Sequence, residues 1–200
     1  MSQSLSADDV ALRRVVAVVG LLNLGYFFVE FGIARAIASV SLFADSIDFL
    51  EDAAVNFLIL AALGWSQRRR ARVGALLSII LLAPAIALFW TLWHKFQMPT
   101  PPSPFTLSVT GMGALAINTG CAFLLARYRH HGGSLTRAAF LSARNDAFAN
   151  IAIVAAGAST ALTHSAWPDI VVGIGIAMMN MDAAREVWAA ARNEQDAAKS

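Results

Sequence analysis

Long apolar stretches, separated by short polar or basic segments, run through most of the chain. Six of these stretches are about 20 residues or longer, the length a helix needs to cross the hydrocarbon core of a bilayer. The pattern therefore predicts an all-α, polytopic membrane protein with six transmembrane helices. We place these helices at residues 15–38, 41–63, 73–93, 105–126, 137–162 and 167–188.

The residues that remain are too few for a second domain. We expect residues 1–14 to form a cytoplasmic N-terminal segment and residues 15–188 a single six-helix transmembrane domain. Residues 189–200 would be a short cytoplasmic tail. The proline-rich segment 94–104 is predicted to be a stiff loop on the exterior side.

The positions of lysine and arginine predict the orientation in the membrane. Cytoplasmic segments carry an excess of these residues near the ends of the helices. The exterior side would carry little beyond Arg35 and Lys95, so both termini are predicted to be cytoplasmic. The predicted cytoplasmic side holds Arg13, Arg14, Arg68, Arg69, Arg70, Arg72, Arg127, Arg129, Arg137, Arg192 and Lys199.

Composition narrows the possible functions. With 58% hydrophobic and 14% charged residues, the chain is too apolar for an ordinary soluble domain. The formal charge of +2 arises mainly from basic loop clusters, so we expect no nucleic-acid partner. The single cysteine, Cys121, excludes a disulfide framework. We find no nucleophile–base pair and no cofactor motif, so the sequence predicts neither an enzyme nor a bound cofactor.

Four carboxylates and an asparagine lie within residues 44–56, in predicted helix 2. An aspartate at the bilayer centre costs about 2.5 to 3.5 kcal/mol on insertion scales, so a cluster needs partners, water or a bound cation. The plainest interpretation is a metal-ion site on one helix face. At 100° per residue, an arc of about 80° contains Asp45, Asp48, Asp52 and Asn56, with Glu51 off its edge.

Predicted helix 5 carries a second polar face. Ser142, Asp146 and Asn150 are spaced at i, i+4 and i+8, which places them on one side of the helix. At 1.5 Å per residue, Asp48 and Asp52 lie about 10 and 16 Å below the exterior surface, and Asp146 lies about 13 Å from the opposite surface. In a hydrocarbon layer of about 30 Å the two motifs converge near the midplane, where transporters bind their substrates.

The oxygen ligands of these two faces favour a divalent cation. Asp48, Asp52 and Asp146, with a hydroxyl, an amide or water, would form a site harder than a histidine-rich one. Carboxylates must be deprotonated to bind metal, so metal and protons would compete for the site. That competition is the minimum requirement for exchanging metal for protons. The candidate ligands are Asp45, Asp48, Asp52, Ser142, Asn145, Asp146 and Asn150.

Three segments resemble the cation diffusion facilitator family of metal transporters. Residues 32–52, with the run Ala-Asp-Ser-Ile-Asp-Phe-Leu-Glu-Asp, are similar to the region from the family's first to its second helix. Residues 139–146 are similar to its fifth helix, and residues 167–173 to the start of its sixth. The resemblance implies six helices, a homodimer, and export of zinc-like divalent metals in exchange for protons.

The resemblance also implies two ligand pairs, Asp48 with Asp52 and Ser142 with Asp146. Ser142 departs from the family pattern, which usually has histidine or aspartate there, and this leaves the metal identity open. The candidates to complete the ligand shell are Asn145, Asn150 and Asp45. The family's cytoplasmic metal-sensing domain is expected to be absent, so a dimer would form through the transmembrane helices.

The sequence therefore predicts an efflux transporter that exchanges Zn²⁺, or else Cd²⁺ or Co²⁺, for protons across a bacterial inner membrane. Its partners would be the metal ion, protons, the lipid bilayer and a second copy of the chain. Three alternatives stay open. They are a transporter of the harder ions Mn²⁺ or Fe²⁺, a passive cation channel with a ring of aspartates, and a non-transporting membrane metal sensor or partner.

Overall fold

The computed structural model describes residues 7–62, 86–128 and 133–179. Within these residues it contains six helical segments and no strand, which confirms the predicted all-α membrane fold. The segments are α1, Ala7–Ile37; α2, Val40–Ala62; α3, residues 86–97; α4, Pro104–Ala126; α5, Gly133–Thr163; and α6, Trp167–Met179.

The helix boundaries differ from the predicted ones mainly in α1, in α3 and at the start of α5, which begins at Gly133 and not at residue 137. α1 begins at Ala7, because hydropathy marks only the part of a helix that lipid covers, whereas a polar start can remain helical. α3 continues past Trp93 to residue 97, so His94 and Lys95 are helical and do not belong to the exterior loop. The first part of predicted helix 3, the arginine-rich segment before it and the end of predicted helix 6 lie outside the described residues.

Three of the described helices are long and apolar enough to cross a membrane: Val10–Ile37, Pro104–Ala126 and Ala139–Thr163. α2 is also 23 residues long but does not meet the same criterion, because its four carboxylates lower its hydropathy. The helix least suited to lipid is therefore the one that most needs to be enclosed by other helices.

α2 is enclosed in this way. Every residue from 39 to 50 is buried, and α1 is the helix that packs against α2 most extensively. A shared apolar cluster joins Phe43 and Ile47 of α2 to Leu107 of α4, Ile153 of α5 and Ile170 of α6. The other helices expose large apolar side chains, as expected of a surface that lipid covers. Examples are Phe28, Phe105, Phe123, Phe148 and Leu162.

A tight turn connects α1 to α2. Ala38 lies in the left-handed region with a φ of 52°, and the Ser39 N–H donates to the Ala34 carbonyl oxygen at 3.0 Å. This is the bond of a helix C-terminal cap. Ser39 then caps the start of α2, because its Oγ accepts from the Leu42 N–H at 3.2 Å. The short turn places α1 and α2 side by side and antiparallel.

The N-terminus of α2 is held by Asp169, which is fully buried near the start of α6. Its carboxylate accepts from the Val40 N–H at 2.9 Å and the Ser41 N–H at 3.0 Å, two groups without an acceptor inside the helix. The hydroxyls of Ser39 and Ser41 each donate to it at 2.7 Å. The helix dipole also favours a negative charge at this end. We call Asp169 with Ser39, Val40 and Ser41 the Asp169 clasp.

Lys95 of α3 joins the clasp. Its ammonium lies 3.9 Å from the Asp169 carboxylate and donates to the Ala38 carbonyl oxygen at 2.5 Å. The Lys95 side chain is only 3% exposed, so its charge depends on these contacts. The clasp therefore ties α2, α3 and α6 together at the end of the bundle where α1 turns into α2.

We predict that Gly173→Ala destabilises the protein, because α6 approaches the start of α2 too closely for a side chain. A Cβ at Gly173 would lie 2.7 Å from Val40 Cγ1 and 2.8 Å from the Ser41 backbone nitrogen. Overpacking of this kind costs about 1–3 kcal/mol, which thermal unfolding in detergent would report as a lower midpoint.

Gly175→Ala is the matched control on the same helix, because nothing lies within 4 Å of a Cβ there. Alanine is the better helix former, so this variant should be as stable as the parent or more stable. Equal destabilisation by both substitutions would contradict the close approach of α6 to α2.

Candidate functional site

A small cavity lies between α2, α5 and α6. Its volume is about 120 Å³, enough for a metal ion with a few water molecules. It lies where the polar faces of α2 and α5 meet, and α6 contributes one residue to its wall. The lining residues are Asp48, Glu51, Asp52, Ser142, Asn145, Asp146 and Met179.

Hydrogen bonds connect α2 to α5 at two levels. Ser142 Oγ donates to Asp52 Oδ1 at 2.9 Å, and Asn150 Nδ2 donates to Asp45 Oδ2 at 2.5 Å. Asp52 lies two turns after Asp45 on α2, whereas Ser142 lies two turns before Asn150 on α5. The two helices therefore run antiparallel, and these pairs are the outer rungs of what we call the α2–α5 ladder.

The middle rung of the ladder brings two carboxylates together. Asp48 of α2 and Asp146 of α5 both line the cavity, so two like charges face the same small space and repel each other. Asp48 is only 7% exposed, so little water screens this repulsion. A cation between the two helices would remove the repulsion, which makes this rung the part of the ladder best suited to metal.

The carboxylates line a space without forming a closed ligand cage. Among the residues that the structure describes, no three His, Cys, Asp or Glu side chains are close enough together to hold one metal ion. Coordination of a metal by all three aspartates of the cavity would therefore require side chains of α2 and α5 to move inward.

The structure divides the candidate ligands into two groups. Asp45 and Asn150 do not line the cavity, and Asn150 Oδ1 instead accepts from Asn118 Nδ2 of α4 at 3.0 Å. The division arises because a polar helix face extends over several turns, whereas the cavity occupies little more than one. The five candidates that line the cavity are Asp48, Asp52, Ser142, Asn145 and Asp146.

Two residues of the cavity were not among the candidate ligands. Glu51 lies off the face that Asp48 and Asp52 share, yet it lines the cavity because the space is wider than one helix face. Met179 reaches the cavity from α6. Helical periodicity describes the face of a single helix, so it carries no signal for a wall that a distant helix contributes.

We predict that Asn150→Leu destabilises the protein by about 1–3 kcal/mol, the cost of leaving a buried acceptor without its donor. Asn150 is fully buried, and its amide holds the Asp45 carboxylate. Unfolding by heat or denaturant in a single detergent would measure the loss.

Asn145→Leu provides the comparison on the same helix. Asn145 is exposed, and its side-chain oxygen accepts only a long hydrogen bond, of 3.4 Å, from Arg144. This substitution should change the stability by no more than about 0.5 kcal/mol. Similar losses for the two variants would mean that the bond to Asp45 contributes little.

One family model matches the chain. The model of the cation efflux transmembrane domain matches residues 16–192, which is most of the sequence. The matched region contains every residue that lines the cavity and all three rungs of the α2–α5 ladder. A search of curated protein sequences finds no match.

Proposed function

Because the chain belongs to the cation efflux family and is thus a metal cation efflux transporter, we propose that it exports Zn²⁺ in exchange for protons. The observation that carries the proposal is the cavity, where Asp48, Asp52 and Asp146 of two helices line one space of about 120 Å³. Buried carboxylates inside a bilayer are costly unless protons or a cation neutralise them. The same three groups are therefore suited to hold either.

Exchange of metal for protons follows because both bind to the same carboxylates. A divalent ion that enters the cavity displaces the protons of Asp48, Asp52 and Asp146, because only the deprotonated carboxylates bind metal. Release of the ion on the other side of the membrane allows these groups to take up protons again. Ser142 holds Asp52 toward α5 through its hydroxyl, so it orients one ligand even where it does not touch the metal.

The packing around α2 supports exchange by alternating access in preference to an open channel. All residues from 39 to 50 are buried, and the Asp169 clasp closes that end of α2. An ion in the cavity can leave toward this end only after the helices there separate. Movement of helices around a site near the midplane is the general mechanism of secondary transporters.

The lining residues support two choices of metal. We propose zinc first, with cadmium and cobalt next, as the family resemblance implies. Manganese or iron(II) is the second candidate, because six of the seven lining side chains offer oxygen and none is His or Cys. The thioether of Met179 is the one softer donor of the lining.

We also propose that the transporter works as a homodimer in a bacterial inner membrane. The exposed apolar faces of the described helices support pairing within the bilayer, since the same surfaces can meet lipid or another copy.

We predict that Asp52→Asn and Asp146→Asn each reduce zinc transport to background. Either change removes from the cavity one anionic oxygen that can bind the metal and one group that can take up a proton in exchange, so both halves of the exchange are weakened. The measurement is zinc uptake into inside-out proteoliposomes, with and without an imposed proton gradient. Uptake by the parent protein should depend on the gradient.

Thr163→Ala serves as the control, because Thr163 is exposed at the end of α5 and its hydroxyl donates within its own helix to the Ser159 carbonyl oxygen. It should transport zinc like the parent. Zinc flux that ignores the gradient would favour the channel, and flux of manganese without zinc would favour the harder ions. No flux of any divalent metal would leave a sensor or partner role.

We predict that Ser142→Asp strengthens zinc binding roughly tenfold, the scale of changes beside a metal ligand. The added carboxylate must lose a proton to bind metal, so the gain should shrink as the pH falls. Calorimetric zinc titrations in detergent, at neutral and mildly acidic pH, would measure both effects. Ser142→Ala should weaken binding, because it removes the donor to Asp52. Weaker binding by Ser142→Asp than by Ser142→Ala would argue against a metal position next to residue 142.

A further inference from the structure

A second cavity, of about 480 Å³, lies at the end of the bundle where α1 turns into α2. The last turn of α1, Phe43 of α2, several residues of α3 and two residues just after α3 form its walls. This is the end that the charge pattern predicts to be exterior. Among the described residues, none lines both this cavity and the metal cavity. We call the second space the basic cavity.

The charged side chains of the basic cavity are positive. Arg35 of α1 and Lys95 of α3 line it, His94 adds an imidazole, and the described part of the lining contains no Asp or Glu. Arg35 and Lys95 are also the two basic residues that the sequence assigns to the exterior side, which holds little other Lys or Arg. A cleft lined by charges of one sign attracts ligands of the opposite sign. The lining therefore indicates an anionic ligand.

Lys95 has more hydrogen-bond donors than the protein uses. Its ammonium group carries three N–H donors. Among the described residues, the Ala38 carbonyl oxygen is its one hydrogen-bond acceptor, at 2.5 Å. The Asp169 carboxylate lies 3.9 Å from the ammonium, which is beyond hydrogen-bonding distance. Only 3% of the side chain is exposed. A buried cation with unused donors in a cavity wall is suited to hold an anion.

Arg35 approaches the same cavity from another helix. It is exposed in the last turn of α1, and no described Asp or Glu forms a salt bridge with it. Its guanidinium presents several N–H groups in a planar fork that matches the oxygens of a phosphate. A phosphate has enough oxygens to accept from the guanidinium of Arg35 and the ammonium of Lys95 together. The donor set therefore fits a phosphate group.

The rest of the lining is largely apolar, which favours a lipid over a soluble anion. Phe43 and Trp90 line the cavity beside the basic groups. Trp90 is 65% exposed, and its ring packs edge-on against His94 with 4.7 Å between the ring centroids. Exposed tryptophan is typical of the membrane interface, where lipid headgroups lie. The basic groups would contact the phosphate, while Phe43 and Trp90 would contact the glycerol and the acyl chains.

We propose that the basic cavity binds the phosphate group of an anionic phospholipid from the leaflet at this end of the bundle. The single negative charge of such a lipid complements Arg35, since Lys95 already shares its charge with Asp169. A zwitterionic lipid fits less well, because its own cation would lie near Arg35. Lys95 contacts both the cavity and the Asp169 clasp, so the bound lipid would also brace the clasp.

Native mass spectrometry of the full chain, released from detergent without transition metal, tests the proposal. The parent protein should retain phosphatidylglycerol in preference to phosphatidylcholine with the same acyl chains. Arg35→Gln should lower the affinity for phosphatidylglycerol about fivefold, the contribution of one basic residue at an anionic lipid surface. Arg35→Lys should keep most of that affinity because it keeps the charge, and His94→Ala should weaken binding because it removes a polar group of the wall.

Arg127→Gln is the matched control. It also removes one positive charge, but Arg127 is exposed at the C-terminal end of α4 and does not line the basic cavity. Its preference for phosphatidylglycerol should equal that of the parent. Lys95 is left unchanged in these variants because its loss would also disturb the clasp. Gel filtration establishes that each variant is folded, and the measurement on the parent does not depend on the variants.

Equal retention of the two lipids by the parent would overturn the proposal. A preference that Arg35→Gln leaves unchanged, or that Arg127→Gln reduces as much, would overturn it too. A soluble phosphate offers the same chemistry, so the lipid-free protein is also titrated calorimetrically with inorganic phosphate. Saturable phosphate binding that requires Arg35, without a lipid preference, would assign the cavity to a soluble anion and overturn the lipid. Zinc is absent from these measurements, so their outcome is independent of the proposed zinc export.

Discussion

A carboxylate inside a membrane helix needs a partner, and α2 carries four of them. Each would cost about 2.5 to 3.5 kcal/mol if it were left at the bilayer centre. This cost explains why α2 is surrounded by the other described helices while they expose apolar side chains to lipid. The helices α1, α4, α5 and α6 pack around α2 because its polar face must be kept away from lipid.

The polar face of α2 has different partners at different levels along the helix. At the level of Asp52 a serine hydroxyl from α5 satisfies one carboxylate oxygen, and at the level of Asp45 an asparagine amide does so. Between these levels Asp48 and Asp146, which carry like charges, line the same cavity. The donors thus stabilise the ends of the α2–α5 ladder, whereas its middle brings two carboxylates to one cavity.

Asp169 is a buried aspartate whose carboxylate accepts several hydrogen bonds from the protein itself. It is fully buried, yet two backbone N–H groups and two hydroxyls donate to it, and Lys95 lies 3.9 Å away. Free N–H groups exist only in the first turn of a helix, so a carboxylate there becomes a structural clasp. A carboxylate that faces the middle of a neighbouring helix meets no free backbone N–H groups, so its donors must be side chains, as Ser142 is for Asp52. The contrast between Asp169 and Asp52 therefore depends on which part of a neighbouring helix each carboxylate faces, not on residue type.

Local patterns in the sequence were sufficient for the all-α membrane fold, for the start of α2 and both limits of α4 to within a residue, and for the two polar faces of α2 and α5. Hydropathy and the 3.6-residue period depend only on neighbouring residues, so they can be read without a structure. Only the tertiary structure decided which residues of those faces share a cavity. It placed Asp45 and Asn150 outside the cavity and brought in Glu51 and Met179. It also set Asp169 against the start of α2, about 130 residues away along the chain. These pairings depend on how far apart the helices pack and at what relative height, and no local pattern records either quantity.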